Sequence, residues 1–224
     1  MKIIEQSAST HQQPSGKTVK VVAFDCDGVL FDSKEANVKF YNHVLEQLGH
    51  EPVRADQREY IHMHTIGESL EYLLGPGSLL LQALELCKTI DFSAFNQYME
   101  TEPGLIEILQ FVKARYRVAL ATNRMVSTRN ILSHFAIDHY FDLIVTASDV
   151  RFPKPHPESM EKIARTFSAA PEQIVYVGDS VVDEALAAAT GAFFVSYKNT
   201  RLKAQLHISH FDQLQTFLSE NHRC

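Results

Sequence analysis

The sequence predicts an α/β fold: a parallel sheet covered by helices on both faces, with a helical insertion after its first strand. Three observations carry this. From Pro103-Gly104 onward, helical and strand-like segments alternate, which implies a parallel sheet between helical layers. The runs Val21–Phe24 (VVAF) and Ile174–Val177 (IVYV) are continuously apolar, as strands buried on both faces require. Finally, about ninety residues of mostly helical pattern separate the first strand from the second, too many for one crossover.

The elements follow in order. Residues 1–17 are expected to form a flexible arm, because residues 5–17 are polar and lack periodicity. Val38, Tyr41, Val44, Leu45 and Leu48 recur at helical spacing, and Gly49 ends that helix. Further helical pieces are expected at Arg54–Met63, Glu68–Leu74, Leu79–Lys88 and Ser93–Glu100, with Gly75-Pro76-Gly77 as a break. Then come a helix from Leu105 to Arg115, a strand at Arg117–Ala121 and a helix capped by Ser127 or Thr128 that runs to about Phe135. A strand at Leu143–Thr146 precedes a helix that begins at Pro157 and ends near Phe167. Ile174–Gly178 is a strand, Val181–Thr190 a helix stopped by Gly191, Ala192–Ser196 a strand, and about Asp212–Ser219 a last helix. The expected division is a core of residues 18–32 and 101–224, with residues 33–100 inserted as a small helical domain.

Composition narrows the function. Of 224 residues, 45% are hydrophobic and 21% charged, the balance of a soluble globular protein. A net charge of −6 without a Lys/Arg block argues against nucleic-acid binding, so an anionic substrate would depend on local cations. Three scattered cysteines, Cys26, Cys87 and Cys224, suggest free thiols in a reducing compartment. There is no apolar leader, and the greasiest stretch, Ser78–Cys87, is too short to span a bilayer. The expectation is a cytoplasmic protein that binds no membrane and works as a monomer or homodimer.

The chemistry sits where strands end. In open α/β sheets, ligands bind beyond the carboxyl ends of the strands. The first strand delivers Asp25 and Asp27, followed by Gly28; a buried carboxylate pair needs a cation or hydrogen bonds to balance it. The second delivers Thr122 and Asn123, neutral donors for phosphoryl oxygens. Lys154, between Pro153 and Pro155, offers a positive charge for the carboxylates and a phosphate. A later strand delivers Gly178-Asp179-Ser180, with Asp183 one turn further. Asp25 and Asp179 can give carboxylate oxygens to Mg²⁺. Asp25 can attack phosphorus, and Asp27 can pass a proton to the leaving group and take one from water.

These residues resemble the four motifs of the haloacid dehalogenase (HAD) superfamily: DCDGVLFDS, Thr122-Asn123, Lys154-Pro155-His156-Pro157 and GDSVVD, over residues 19 to about 219. Within it, the chain looks most like the phosphoglycolate phosphatase and β-phosphoglucomutase branch. The resemblance implies a Rossmann-like core with an inserted α-helical cap, and a Mg²⁺-dependent phosphatase acting on a small phosphorylated metabolite. It further implies Asp25 as nucleophile and Asp27 as acid/base. The Asp25 side chain, the Asp27 carbonyl and the Asp179 side chain would hold the metal, with Asp183 behind Lys154 or a metal-bound water. The segment His62–Leu70 resembles the loop that faces the substrate, or is a helix–helix turn bent at Gly67; His62, His64 and Glu68 are its candidate specificity contacts. Arg124, directly after the phosphate-binding pair, is a further candidate. A sugar-phosphate mutase would use the same core. A receiver-type phospho-acceptor module is disfavoured by the late GDSVVD and the insertion.

Overall fold

The computed structural model describes residues 18–125 and 127–221; the expected N-terminal arm lies outside them. A six-stranded parallel sheet has the order β5-β4-β1-β6-β7-β8, where β1 is Val21–Phe24, β4 Arg117–Ala121, β5 Leu143–Val145, β6 Ile174–Gly178, β7 Phe193–Tyr197 and β8 Leu206–Ile208. β1 pairs with β4 on one side and β6 on the other. The strand order reverses there, which places the crevice beyond the end of β1.

Alternate residues of the central strands enter opposite cores. Val22, Phe24, Val118, Leu120, Val175 and Val177 face one core, together with Ile108 and Leu109 of α5 (Leu105–Lys113) and Leu214 and Leu218 of α9 (Phe211–Asn221). Val21, Ala23, Ala119, Ala121 and Tyr176 face the other, with Met160 and Ile163 of α7 (Glu158–Phe167) and Leu186 of α8 (Val181–Thr190). Burial on both faces is why these strands read as unbroken apolar runs.

Between β1 and β4 lies a helical layer: α1 (Lys34–Gln47), α2 (Arg58–Met63), α3 (Ile66–Leu74) and α4 (Ser78–Cys87). It has its own core of Val38, Phe40, Tyr41, Val44, Leu45, Ile61, Leu70 and Ala83. A two-stranded antiparallel ribbon of β2 (Phe31–Asp32) and β3 (Glu100–Thr101) marks where the chain leaves and re-enters the sheet layer. Among the described residues, no helix is long and apolar enough to cross a membrane.

Several expectations are corrected. The piece expected at Ser93–Glu100 is a 3₁₀ run, Phe92–Tyr98, and Glu100 belongs to β3. Phe92 and Phe95, three residues apart, both pack on Phe40, at 5.1 and 5.7 Å between ring centroids, and a three-residue turn puts such a pair on one side. Arg54–Met63 divides into a 3₁₀ turn, Ala55–Gln57, and α2. The bend after His62 does not use Gly67, which lies inside α3; it falls at His64-Thr65, where the Thr65 hydroxyl caps the Glu68 amide and Glu68 returns the bond to the Thr65 amide. Ser127 and Thr128 are not caps but the first two residues of α6 (Ser127–His134). Pro157 precedes α7 as its N-cap. The ribbon and β8 were too short to show a pattern in the sequence.

Candidate active site

The end of β1 brings Asp25 into the crevice 6% exposed. The chain then turns sharply, with Leu30 N–H donating to Cys26 O at 2.9 Å and Gly28 N–H to Phe31 O at 2.8 Å. Gly28 has φ +77°, and a methyl there would lie 2.1 Å from Asp179 Oδ2. Its bare backbone therefore lets the ends of β1 and β6 approach. Gly178 lets the first turn of the helix Val181–Thr190 close on the end of β6, since a Cβ there would come within 2.4 Å of the Asp183 Cβ. Cys26, between the two aspartates, is buried in the core, and burial pushes its thiol well above the usual range.

Lys154 is the cation at the centre. Its ammonium donates to Asp183 Oδ1 at 2.7 Å and to the Tyr176 hydroxyl at 3.1 Å. It also forms an ion pair with Asp25 Oδ1 at 2.8 Å. Burial disfavours its charge, but Asp183 and Asp25 outweigh burial and keep it protonated. Asn123 fixes the lysine's backbone: Lys154 N–H donates to Asn123 Oδ1 and Asn123 Nδ2 donates to Lys154 O, both at 2.9 Å. The Asn123 amide, expected to meet phosphoryl oxygens, thus also places Lys154, and its Nδ2 keeps a second hydrogen to donate. The Thr122 hydroxyl accepts from Arg124 N–H at 3.1 Å and retains its own proton to donate.

Three carboxylates, of Asp25, Asp179 and Asp183, have oxygens within 4.8 Å of one another. Asp183 is already satisfied. Its Oδ1 accepts from Lys154 and from Tyr176 (2.5 Å), and its Oδ2 accepts from Ser180 Oγ (2.6 Å) and from the Ser180 and Asp179 amides. These bonds, with Lys154, hold Asp183 below the usual range despite its burial. Asp25 and Asp179 are short of positive charge. Burial raises Asp25, Lys154 offsets part of this and Asp183 adds to it, leaving it at about 7. Burial and the two neighbouring carboxylates raise Asp179 well above its ordinary value. Two buried carboxylates, Asp25 and Asp179, that one ammonium leaves incompletely neutralised fit a small divalent cation that prefers oxygen donors.

Asp27 is held differently. Arg124 grips it through two bonds, Nε to Oδ2 at 3.0 Å and Nη2 to Oδ1 at 2.6 Å, and the Ser33 hydroxyl donates to Oδ1 as well. Burial alone would raise its carboxyl, but Arg124 and Ser33 hold it at about 2. Arg124 Nη2 also donates to Asn37 Oδ1 of α1 at 3.3 Å.

Asp25, Asp27, Thr122, Asn123, Arg124, Lys154 and Asp179 line one cavity together with His62 and His64 of the helical layer. Glu68 does not line it and is exposed, its carboxylate engaged by Thr65. Sequence reasoning missed Tyr176 and Asn37, and gave Ser33 and Ser180, though both lie in quoted motifs, no role of their own. Tyr176 alone left a signal, a phenol inside an apolar strand, whose hydroxyl must find a partner when buried.

A profile of haloacid dehalogenase-like hydrolases matches residues 22–197. The phosphorylated carbohydrates phosphatase of Thermotoga maritima is 28% identical over 174 residues, 72% of this chain and 77% of that protein. The pyrophosphatase PpaX of Bacillus mycoides is 26% identical over 166 residues, covering 72% and 75%. The crystal structure of a HAD-superfamily hydrolase of subfamily IA, variant 1, from Geobacter sulfurreducens superposes with a TM-score of 0.78 at 34% identity, covering 88% of this chain and 98% of that one. With a matching profile over most of its sheet and all four motif positions at one set of strand ends, this chain belongs to the haloacid dehalogenase-like hydrolase family.

Proposed function

We propose that the protein is a Mg²⁺-dependent phosphatase that hydrolyses a small phosphorylated metabolite through an aspartyl-phosphate on Asp25. The observation that carries this reading is the Asp25 carboxylate: buried, paired with the ammonium of Lys154 and still short of positive charge beside Asp179 and Asp183. The Asp25 and Asp179 carboxylates and the Asp27 main-chain carbonyl would hold the ion. When bound, Mg²⁺ supplies the missing positive charge to the nucleophile and to the phosphoryl oxygens.

The side chains then divide the work. An Asp25 oxygen attacks phosphorus, the bond from phosphorus to the leaving oxygen breaks, and that oxygen takes a proton from Asp27. Water next attacks phosphorus, Asp27 takes its proton, and the Asp25 carboxylate is regenerated as phosphate leaves. Lys154 and the Thr122 hydroxyl face the phosphoryl oxygens. In the arrangement described, Asp27 is ionised by Arg124, so its turn as acid requires that grip to open.

The helical layer fits the part of a cap. The cavity beneath it has an open volume of about 70 Å³, below the roughly 300–1,000 Å³ of ordinary ligand pockets. A metabolite therefore enters only when the helices shift. A second cleft of about 650 Å³ shares His62, Met63, Asp179 and Ser180 with the cavity and supplies a route. The two PpaX-like and carbohydrate-phosphatase relatives support phosphoester or phosphoanhydride substrates without selecting one.

Purified protein is expected to release phosphate from p-nitrophenyl phosphate with Mg²⁺ and to fall to background in EDTA, with recovery on adding Mg²⁺ back. Turnover that persists in EDTA contradicts the metal requirement.

A further inference from the structure

We infer that Asn37 is a positioning residue that holds His62 as an Nε2–H donor toward an oxygen of the substrate's leaving group. The site would then select phosphoesters whose leaving group carries an acceptor oxygen near the ester. This rests on the phosphatase reading above.

A guanidinium can only donate, so Arg124 Nη2, 3.3 Å from the Asn37 side chain, fixes the amide oxygen on its own side. The Asn37 Nδ2 then faces His62 Nδ1 at 3.0 Å and must donate to it. An imidazole that accepts at Nδ1 carries its proton on Nε2 when neutral. Burial lowers the His62 pKa and favours that neutral form. The His62 Nε2 is buried and has no hydrogen-bond partner, while His62 lines both the cavity and the neighbouring cleft. A donor left without a partner is costly, and such groups mark places where a ligand completes the bonding.

The location matters chemically. His62 is close enough to Asp27 for each to feel the other's charge, and Asp27 is the residue that serves the leaving oxygen. Groups facing His62 at this point belong to the leaving group, not to the phosphoryl, which would be held by Asp25, Lys154 and Thr122. The chain Asp27–Arg124–Asn37–His62 also joins the sheet end to α1 and α2, so the donor is set only when the helical layer is docked.

The test compares glycerol phosphate with propyl phosphate, esters of similar size that differ in hydroxyl oxygens. The wild type is expected to favour glycerol phosphate in kcat/KM by about tenfold, the worth of one neutral hydrogen bond. His62→Leu should bring that ratio near one, His62→Gln should restore part of it, and Asn37→Leu should lower it with the imidazole still present. No preference in the wild type, or an unchanged ratio in His62→Leu or Asn37→Leu, overturns the inference. A second readout needs no turnover: in ¹⁵N-histidine spectra, His62, assigned by its loss in His62→Gln, should be the Nε2–H tautomer and change in Asn37→Leu. An Nδ1–H tautomer overturns the inference. Wild type inactive on every ester overturns the phosphatase reading instead, and the spectra then decide the role of Asn37 alone.

Discussion

Asp25→Asn is expected to lower phosphatase kcat by about 10⁴-fold or more, the order lost when a covalent nucleophile is removed. An amide cannot supply the attacking oxygen, and nothing else in the crevice stands in its place. The same substitution should leave the fold intact and, without metal, make it more stable. The folded Asp25 carboxyl lies at about 7 against an ordinary 3.8. The folded state therefore holds this proton more tightly than the unfolded chain, and stability falls as pH rises between those values. An asparagine carries no such cost. In EDTA, urea unfolding should find the variant more stable than wild type at pH 8, by on the order of 1 kcal/mol or more, with the gap closing below pH 4. A variant that loses activity together with stability would point to a structural part for Asp25.

Lys154→Met should show the opposite pairing, with loss of both. Lys154 is 4% exposed and is the ammonium shared by Asp25 and Asp183. Removing one partner of a buried ion pair leaves charge uncompensated and costs about 3–5 kcal/mol. Asp183 is held below 3.8 with help from Lys154. A carboxyl lowered on folding contributes stability above its unfolded value and loses it as pH falls through its folded one. The deficit of Lys154→Met should therefore be largest near neutral pH and shrink in acid, as read by urea unfolding at several pH values. Phosphatase kcat should fall as well, because the phosphoryl oxygens lose their protein cation. Wild-type stability in this variant would mean that the carboxylates are balanced by something other than Lys154.

What could be read from the chain depended on distance. The strands at Val21–Phe24 and Ile174–Gly178 were legible because burial on both faces leaves an apolar run that no other element needs. Asp25 and Asp179 were legible because charged groups interrupt such runs only for a reason, and Lys154 because of its place in order among the other motifs. The partnerships among them were not. Arg124 and Asp27 lie 97 residues apart, and Asn123 meets the Lys154 backbone across 31. Local pattern says nothing about which donor will find which acceptor once the sheet assembles. The brace that Asn123 gives the lysine backbone and the capping box that Glu68 completes were both invisible in the sequence. Asn37 gave no sign at all, since one polar residue on an amphipathic helix is ordinary. The 3₁₀ run at Phe92–Tyr98 was misread as α-helix because its aromatic spacing of three serves both periods.

The central claim is that phosphate passes through the Asp25 carboxylate. Acid-quenching the enzyme during turnover with Mg²⁺ and reducing it with borohydride converts an aspartyl-phosphate to homoserine, which peptide mass spectrometry locates in the sequence. The account predicts homoserine at position 25, dependent on substrate and absent in EDTA. Steady phosphate release with position 25 unmodified, or with homoserine at position 27 instead, would contradict it.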